Sequence, residues 1–219
     1  MQLLQTHGHA DYIHEQYGDT SFSAVYGAGC VDNPKLVLVF MNPTAKNVSA
    51  HPDRSGIRAP RLGFKQTRKM LYALGWIPEQ LFMQTQALHT SLRQPDFAHN
   101  LYKELSNKGI YITNLAKCTQ SDAKPLPNQV FRDSLPGFVH EMHCLGASAL
   151  VTFGNQVSSI VCNTPINVSG YEDNQKCVVD LDNKTFDVYP CFYPVGMGYR
   201  NINKAIDRLK AVASVCNIS

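Results

Sequence analysis

The chain has 219 residues, of which 44% are hydrophobic and 17% charged, enough apolar material for one sizeable core and too much for a disordered tail. No run reaches the ~18 uncharged apolar residues that a membrane span needs, and the opening MQLLQTHGHADYIHEQ has no basic n-region, so neither a membrane protein nor a secretory signal is expected. The net charge of +3 is unevenly placed: Lys46 to Lys69 holds seven basic residues against Asp53 alone, which points to a polyanionic partner such as nucleic acid, a solvated basic surface being the other reading.

In chain order, the apolar, β-branched run Lys35 to Phe40 predicts a buried strand between Asp32-Asn33-Pro34 and Asn42-Pro43. Lys65 to Leu74 reads as a helix ended by Gly75, and Pro78 opens a second short one. Phe97 to Lys108 carries helical spacing and leads into a second strand, GIYITNL from Gly109. Asn128 to Leu145 is helical in period, with Pro136 expected to kink or break it. Ser148 to Phe153 is a third strand, followed by a helix from Asn155 to Cys162. Asn163 to Lys184 is polar, with a hairpin signal at Cys177-Val-Val; TFDVYPCFYPV from Thr185 contains a fourth strand, and Asn201 to Val215 closes the chain as a helix. Alternating strands and helices predict an α/β fold, a three-layer α/β/α sandwich around a central, mostly parallel sheet of about four strands, in a single domain over residues 1–219.

In open α/β sheets, ligands collect beyond the carboxyl ends of the strands. Here those exits read Asn42-Pro43-Thr44, Asn114, Gly154-Asn155 and Tyr193-Pro194-Val195-Gly196. Each alone is ordinary turn chemistry. Together they suit a flat, hydrogen-bonding ligand such as a nucleobase.

These stretches resemble the uracil-DNA glycosylase superfamily. AVYGAGCVDNPKLVLVFMNPTAKN, from Ala24, is similar to its turn, buried strand and water-positioning motif, with Met41-Asn42-Pro43 in the Asn-Pro form of the mismatch-specific and single-strand-selective branches. YITNLAKC, from Tyr111, resembles the strand whose terminal Asn reads the flipped base, and ALVTFGNQVSSIV, from Ala149, the next strand, glycine and helix. YPVGMGYRN, from Tyr193, occupies the place of the family's His-Pro-Ser or Asn-Pro-Ser loop. The match runs in order from Ala24 to Lys210. Two positions depart from the pattern: Phe40 stands where glycine is usual, and Tyr193 stands where His or Asn is usual. Of the ligands that iron–sulfur members carry, Cys118 matches one, but only Cys30 lies near the N-terminus and Ser134 falls at the expected fourth position, so no cluster or other cofactor is expected.

The resemblance implies a monofunctional repair glycosylase that everts uracil, or another deaminated base, from DNA and hydrolyses its N-glycosidic bond. Asn42 and Tyr193 are the candidate catalytic residues. An amide cannot act as a base near neutral pH, so Asn42 would orient the attacking water by hydrogen bonding. Asn114 would read the base, since one carboxamide matches the O4 acceptor and N3–H donor of uracil and mismatches cytosine; its alternative is a cap on the strand end. Phe64 is the candidate stacking residue, equally readable as a core aromatic, and Met41 completes the pocket. Lys46, Arg58, Arg61, Lys65 and Arg200 would contact phosphates, and Met197 or Tyr199 would fill the gap left by the everted base; a plain glycine-rich turn is the other reading of that loop.

Other signals are set aside. His7, His9, His14, His140 and His143 lack complete metal-ligand spacing. Seven cysteines without paired spacing argue for reduced thiols inside a cell, with Cys118 a packed thiol. The expected protein is an intracellular monomer acting on DNA. Two rivals remain: a base-binding module of the same fold that does not hydrolyse, and an enzyme of free nucleosides or nucleotides.

Overall fold

The computed structural model describes residues 2–45, 65–87 and 95–218. The strands are β1 (Ala28–Gly29), β2 (Leu36–Phe40), β3 (Ile110–Asn114), β4 (Ala149–Phe153), β5 (Cys177–Leu181) and β6 (Lys184–Cys191). The helices are α1 (Gln2–Tyr17), α2 (Lys65–Ala73), α3 (Glu79–Ala87), α4 (Pro95–Asn107), α5 (Asn128–Leu145), α6 (Asn155–Val161) and α7 (Ile202–Val215).

The fold is α/β. Strands β3, β2, β4 and β6 lie side by side and parallel, each pair joined through helical connections or long loops. Every residue of β2, β3 and β4 is buried, as expected of apolar strands covered on both faces. Alternation along the strands divides the core in two. Leu36, Leu38, Phe40, Ile110 and Ile112 face α2, α3, α4 and α7 through Met70, Leu71, Leu81, Leu101, Leu105, Ile206 and Leu209. Val37, Val39 and Tyr111 face α1, α5 and α6 through Ile13, Phe131, Phe138, Met142, Val157 and Val161.

The sheet has six strands, not about four, because each edge of the parallel centre gains an antiparallel strand. β1 is a two-residue pairing with β3, too short to carry a period of its own. β5 forms the hairpin anticipated at Cys177, turning back at Asp182 and Asn183, whose φ values of 49° and 62° suit a tight two-residue turn. Its residues alternate between partly buried and exposed, which conceals it from a search for continuous apolar runs.

Pro136 does not interrupt α5, which runs unbroken from Asn128 to Leu145 and ends on Gly146 at φ 71°. Phe131, Phe138, Met142 and Leu145 along its length are essentially buried, and that packing outweighs one missing backbone bond. Helix α1 was not anticipated. Thr6, Ala10 and Ile13 bury one stripe of it against α5, where Gly137 leaves room for the His9 ring that a Cβ would strike. His9 Nε2 lies 3.2 Å from the Asp133 carbonyl, and the Tyr17 hydroxyl donates to the Asp133 carboxylate at 2.6 Å. Among the described residues no helix is long and apolar enough to cross a membrane.

Candidate functional site

Parallel strands direct all their carboxyl ends to one rim, and the rim is knitted together beyond the strands themselves. Phe40 and Asn114 are register partners at the ends of β2 and β3. Past them the backbone continues to pair: Leu115 N–H donates to the Phe40 carbonyl at 2.8 Å, Ala116 N–H to Met41 at 3.0 Å and Gln120 N–H to Pro43 at 3.1 Å. Ala45 N–H returns a bond to the Gln120 carbonyl at 2.8 Å. Met41, Asn42 and Pro43 are therefore fixed relative to Asn114 by backbone bonds and do not depend on a free loop. The structure brings the two amides expected to work together to adjacent strand ends.

Asn114 is 7% exposed, and among the described residues no hydrogen bond to its carboxamide is formed. A buried amide normally has its donors and acceptor matched. This one is available to a ligand that can match them. Its strand partner Phe40 stands on the same face and stacks on Phe153, ring centroids 4.5 Å apart at 30°, while Tyr193 meets Phe40 edge-on at 6.3 Å and 72°. The rim thus sets a polar reader beside an aromatic surface made by three strand exits. Asn42 is half-buried, and its Nδ2 donates to the Pro43 carbonyl at 3.1 Å, which orients the side chain and leaves Oδ1 as an acceptor suited to a water molecule. Met41 is also half-buried and packs against the α1/α5 side of the core rather than beside Phe40.

Burial pushes the Tyr193 phenol up to about 12. It is therefore neutral at any physiological pH, able to donate a hydrogen bond and unable to serve as an anionic base. The backbone around it is close-fitting: a Cβ on Gly198 would run into the Tyr193 carbonyl. The loop read as a glycine-rich wedge is a 3-10 turn, Gly196–Asn201, that enters α7 directly, and it begins on Gly196 at φ 59°. Tyr199 is 40% exposed on this turn, Arg200 is exposed beside it, and Lys69 of α2 reaches the Tyr199 hydroxyl at 3.4 Å with its ammonium 5.9 Å from the ring centroid. Lys69 is the last residue of the basic segment that begins at Lys46.

Lys46, Arg58, Arg61 and Phe64 lie outside the described residues, as do the side chains of Lys65 and Met197. Asn155, one of the amides at the four exits, does not join the rim: its Oδ1 accepts from Val168 N–H at 3.0 Å and holds the segment after α6. The stacked pair at the rim is Phe40 and Phe153: the sequence marks Phe40 as a departure from the family pattern and Phe153 only as a strand end. Both are terminal strand residues, and that position was the available signal.

Behind the rim, on the α1/α5 side of the sheet, lies a buried polar group. Lys117 Nζ bonds Glu141 Oε2 at 2.6 Å and the Asn114 carbonyl at 3.0 Å, with the two side chains 7% and 2% exposed. Glu141 also accepts from the Tyr111 hydroxyl at 2.9 Å and from Thr113 Oγ1 at 3.3 Å. Burial, followed by the Glu141 charge, holds the Tyr111 phenol well above its ordinary range.

Cys118 is fully buried in the core, where desolvation pushes its thiol up to about 11, and Ser134 Oγ donates to the Val130 carbonyl at 2.7 Å. His14 bridges the Phe22 carbonyl and Thr119 N–H, and His143 lies 3.1 Å from the Leu181 carbonyl. Among the described residues no three His, Cys, Asp or Glu side chains are grouped to hold a metal ion. In comparisons with known proteins, no family model matches the chain and no curated protein matches it.

Proposed function

We propose that the chain is a monofunctional DNA glycosylase that hydrolyses the N-glycosidic bond of uracil, or of another deaminated base, in DNA. The observation that carries this reading is the apposition at one rim of Asn114, with its carboxamide open, and Asn42, joined through paired backbone beside the Phe40–Phe153 rings. A base stacked in a duplex is out of reach, so the nucleotide would have to be everted to meet this rim. Asn114 would donate to O4 and accept from N3–H of uracil, while cytosine would oppose donor to donor and acceptor to acceptor. The aromatic surface would take the face of the ring.

Asn42 Oδ1 would hold the water whose oxygen attacks C1′. The C1′–N1 bond breaks with its electron pair passing to N1 of the base, and the proton lost from water goes to solvent or to the departing base. The transition state has oxocarbenium character, so adjacent phosphates and hydrogen bonds to the departing base do most of the stabilising. Tyr193, neutral throughout, would contribute an O–H donor or an apolar wall. Lys117 is bonded to Glu141 on the other face of the sheet, an arrangement unsuited to Schiff-base attack, and this supports base removal without strand cleavage. Tyr199, Arg200 and Lys69 would meet the strand, the first in the gap left by the base and the others at phosphates.

The absence of any carboxylate in the Asn42-Pro43 motif favours one other reading, a module that binds an everted base without hydrolysing it. Incubation with uracil-containing and matched cytosine oligonucleotides, followed by hot alkali, distinguishes them. Alkali-labile breaks at uracil alone are the expected result. Retention of uracil DNA without breaks would favour the binding module, and neither outcome on DNA would remove both.

A further inference from the structure

The peptide plane joining Asn114 to Leu115 is pinned at both ends. Its N–H donates to the Phe40 carbonyl at 2.8 Å, and its carbonyl accepts from Lys117 Nζ at 3.0 Å. With the residue also held in the β2–β3 ladder, this pinned plane fixes the Asn114 Cα and so the Cα–Cβ bond from which its carboxamide projects. Lys117 is itself held by Glu141 at 2.6 Å, and Glu141 is anchored in turn by Tyr111 and Thr113, both on β3. The Phe138 ring closes one side, 5.9 Å from the ammonium. A buried ion pair is seldom the most stable filling for such a space, since apolar side chains of like volume serve as well or better. What apolar side chains cannot do is donate to the Asn114 carbonyl.

We infer that Lys117, held by Glu141, is a positioning residue that aims the Asn114 carboxamide and so sets which base the rim accepts. This rests on the glycosylase reading. It adds a residue pair on the far face of the sheet that touches neither DNA nor water at the rim. The pair acts through the backbone of the reader, so its effect must disappear when the reader has no carboxamide to aim.

The test is a mutant cycle in the full chain. Lys117→Met alone leaves a buried carboxylate without its cation and risks unfolding, so Lys117→Met is combined with Glu141→Gln, which keeps one oxygen to accept from Tyr111 and Thr113 without a buried charge. The double change is made in wild type and in Asn114→Ala, and single-turnover uracil release is measured with enzyme in excess. In the wild-type background, the expected loss is about 10- to 100-fold, the scale at which a supporting residue or a small misplacement acts. In the Asn114→Ala background it is less than about twofold, because coupled residues are non-additive. Equal losses in both backgrounds would show a purely structural pair and overturn the inference, as would no loss in either. A wild-type chain that releases no uracil would overturn the glycosylase reading and this inference with it, an outcome distinct from an active chain with additive losses.

Discussion

Tyr193 sits where ionisation is costly. Burial raises its phenol from the ordinary 10.0 to about 12, so in the folded chain the proton is held where the unfolded chain would release it. A group whose folded pKa is raised contributes stability that is intact below the unfolded value and is lost as pH climbs through the folded one. Unfolding by denaturant should therefore show wild-type stability falling more steeply between pH 10 and pH 12 than that of Tyr193→Phe, the other titrating groups being common to both. Parallel curves would mean that the phenol is solvated. The same burial makes Tyr193 a poor stand-in for a histidine that gains and loses protons near neutrality, and it confines the residue to donation or packing.

Among the elements, α5 bears the clearest local conflict. A proline in a helix interior forfeits a backbone bond and crowds the preceding turn, at a cost of about 3 kcal/mol in an isolated helix. Here the apolar stripe from Phe131 to Leu145 overrides that cost. Replacing Pro136 by Ala should raise the unfolding free energy by about 1–2 kcal/mol, part of the gain being offset by a more flexible unfolded chain. Urea denaturation would measure it, and a less stable variant would mean that the helix is shaped around the proline.

The elements legible beforehand were those with long runs of one character. β2 and β4 announced themselves through LVLVF and ALVTF, and their exits followed directly. α1 was hidden because Thr6, Ala10 and Ile13 are a thin stripe in a polar segment, and it gains its order from contact with α5. β1 was hidden because a two-residue edge pairing carries no period, whereas half-exposed β5 showed only as a hairpin signal at Cys177. At the site, Asn42 and Asn114 could be paired from the sequence since Asn114 ends one buried parallel strand and Asn42 follows the end of its neighbour. The Lys117–Glu141 link could not: its partners are 24 residues apart on a strand exit and a helix, and no periodicity sets the rotation of α5 over the sheet.

Over the whole molecule, four parallel strands concentrate their exits on one side, and two helical layers leave that rim as the place where polar groups meet. The basic segment from Lys46 to Lys69 directly follows the Asn42-Pro43 exit in the chain and ends within α2, whose Lys69 reaches the turn before α7. The proposed function would give binding and chemistry to separate groups: cations and Tyr199 to the strand, the two amides to the base and the water. Under the proposed function Asn42 acts on the reaction and not on affinity. The most direct measurement is single-turnover uracil release by wild type and Asn42→Ala, read beside the affinity of each for the same duplex. We expect the wild type to release uracil, and the variant to be slowed by about a hundredfold or more, the scale seen when a preorganised polar group at a reacting centre is removed, with affinity changed less than about twofold. Equal loss of rate and affinity, or a variant as fast as the wild type, would contradict it.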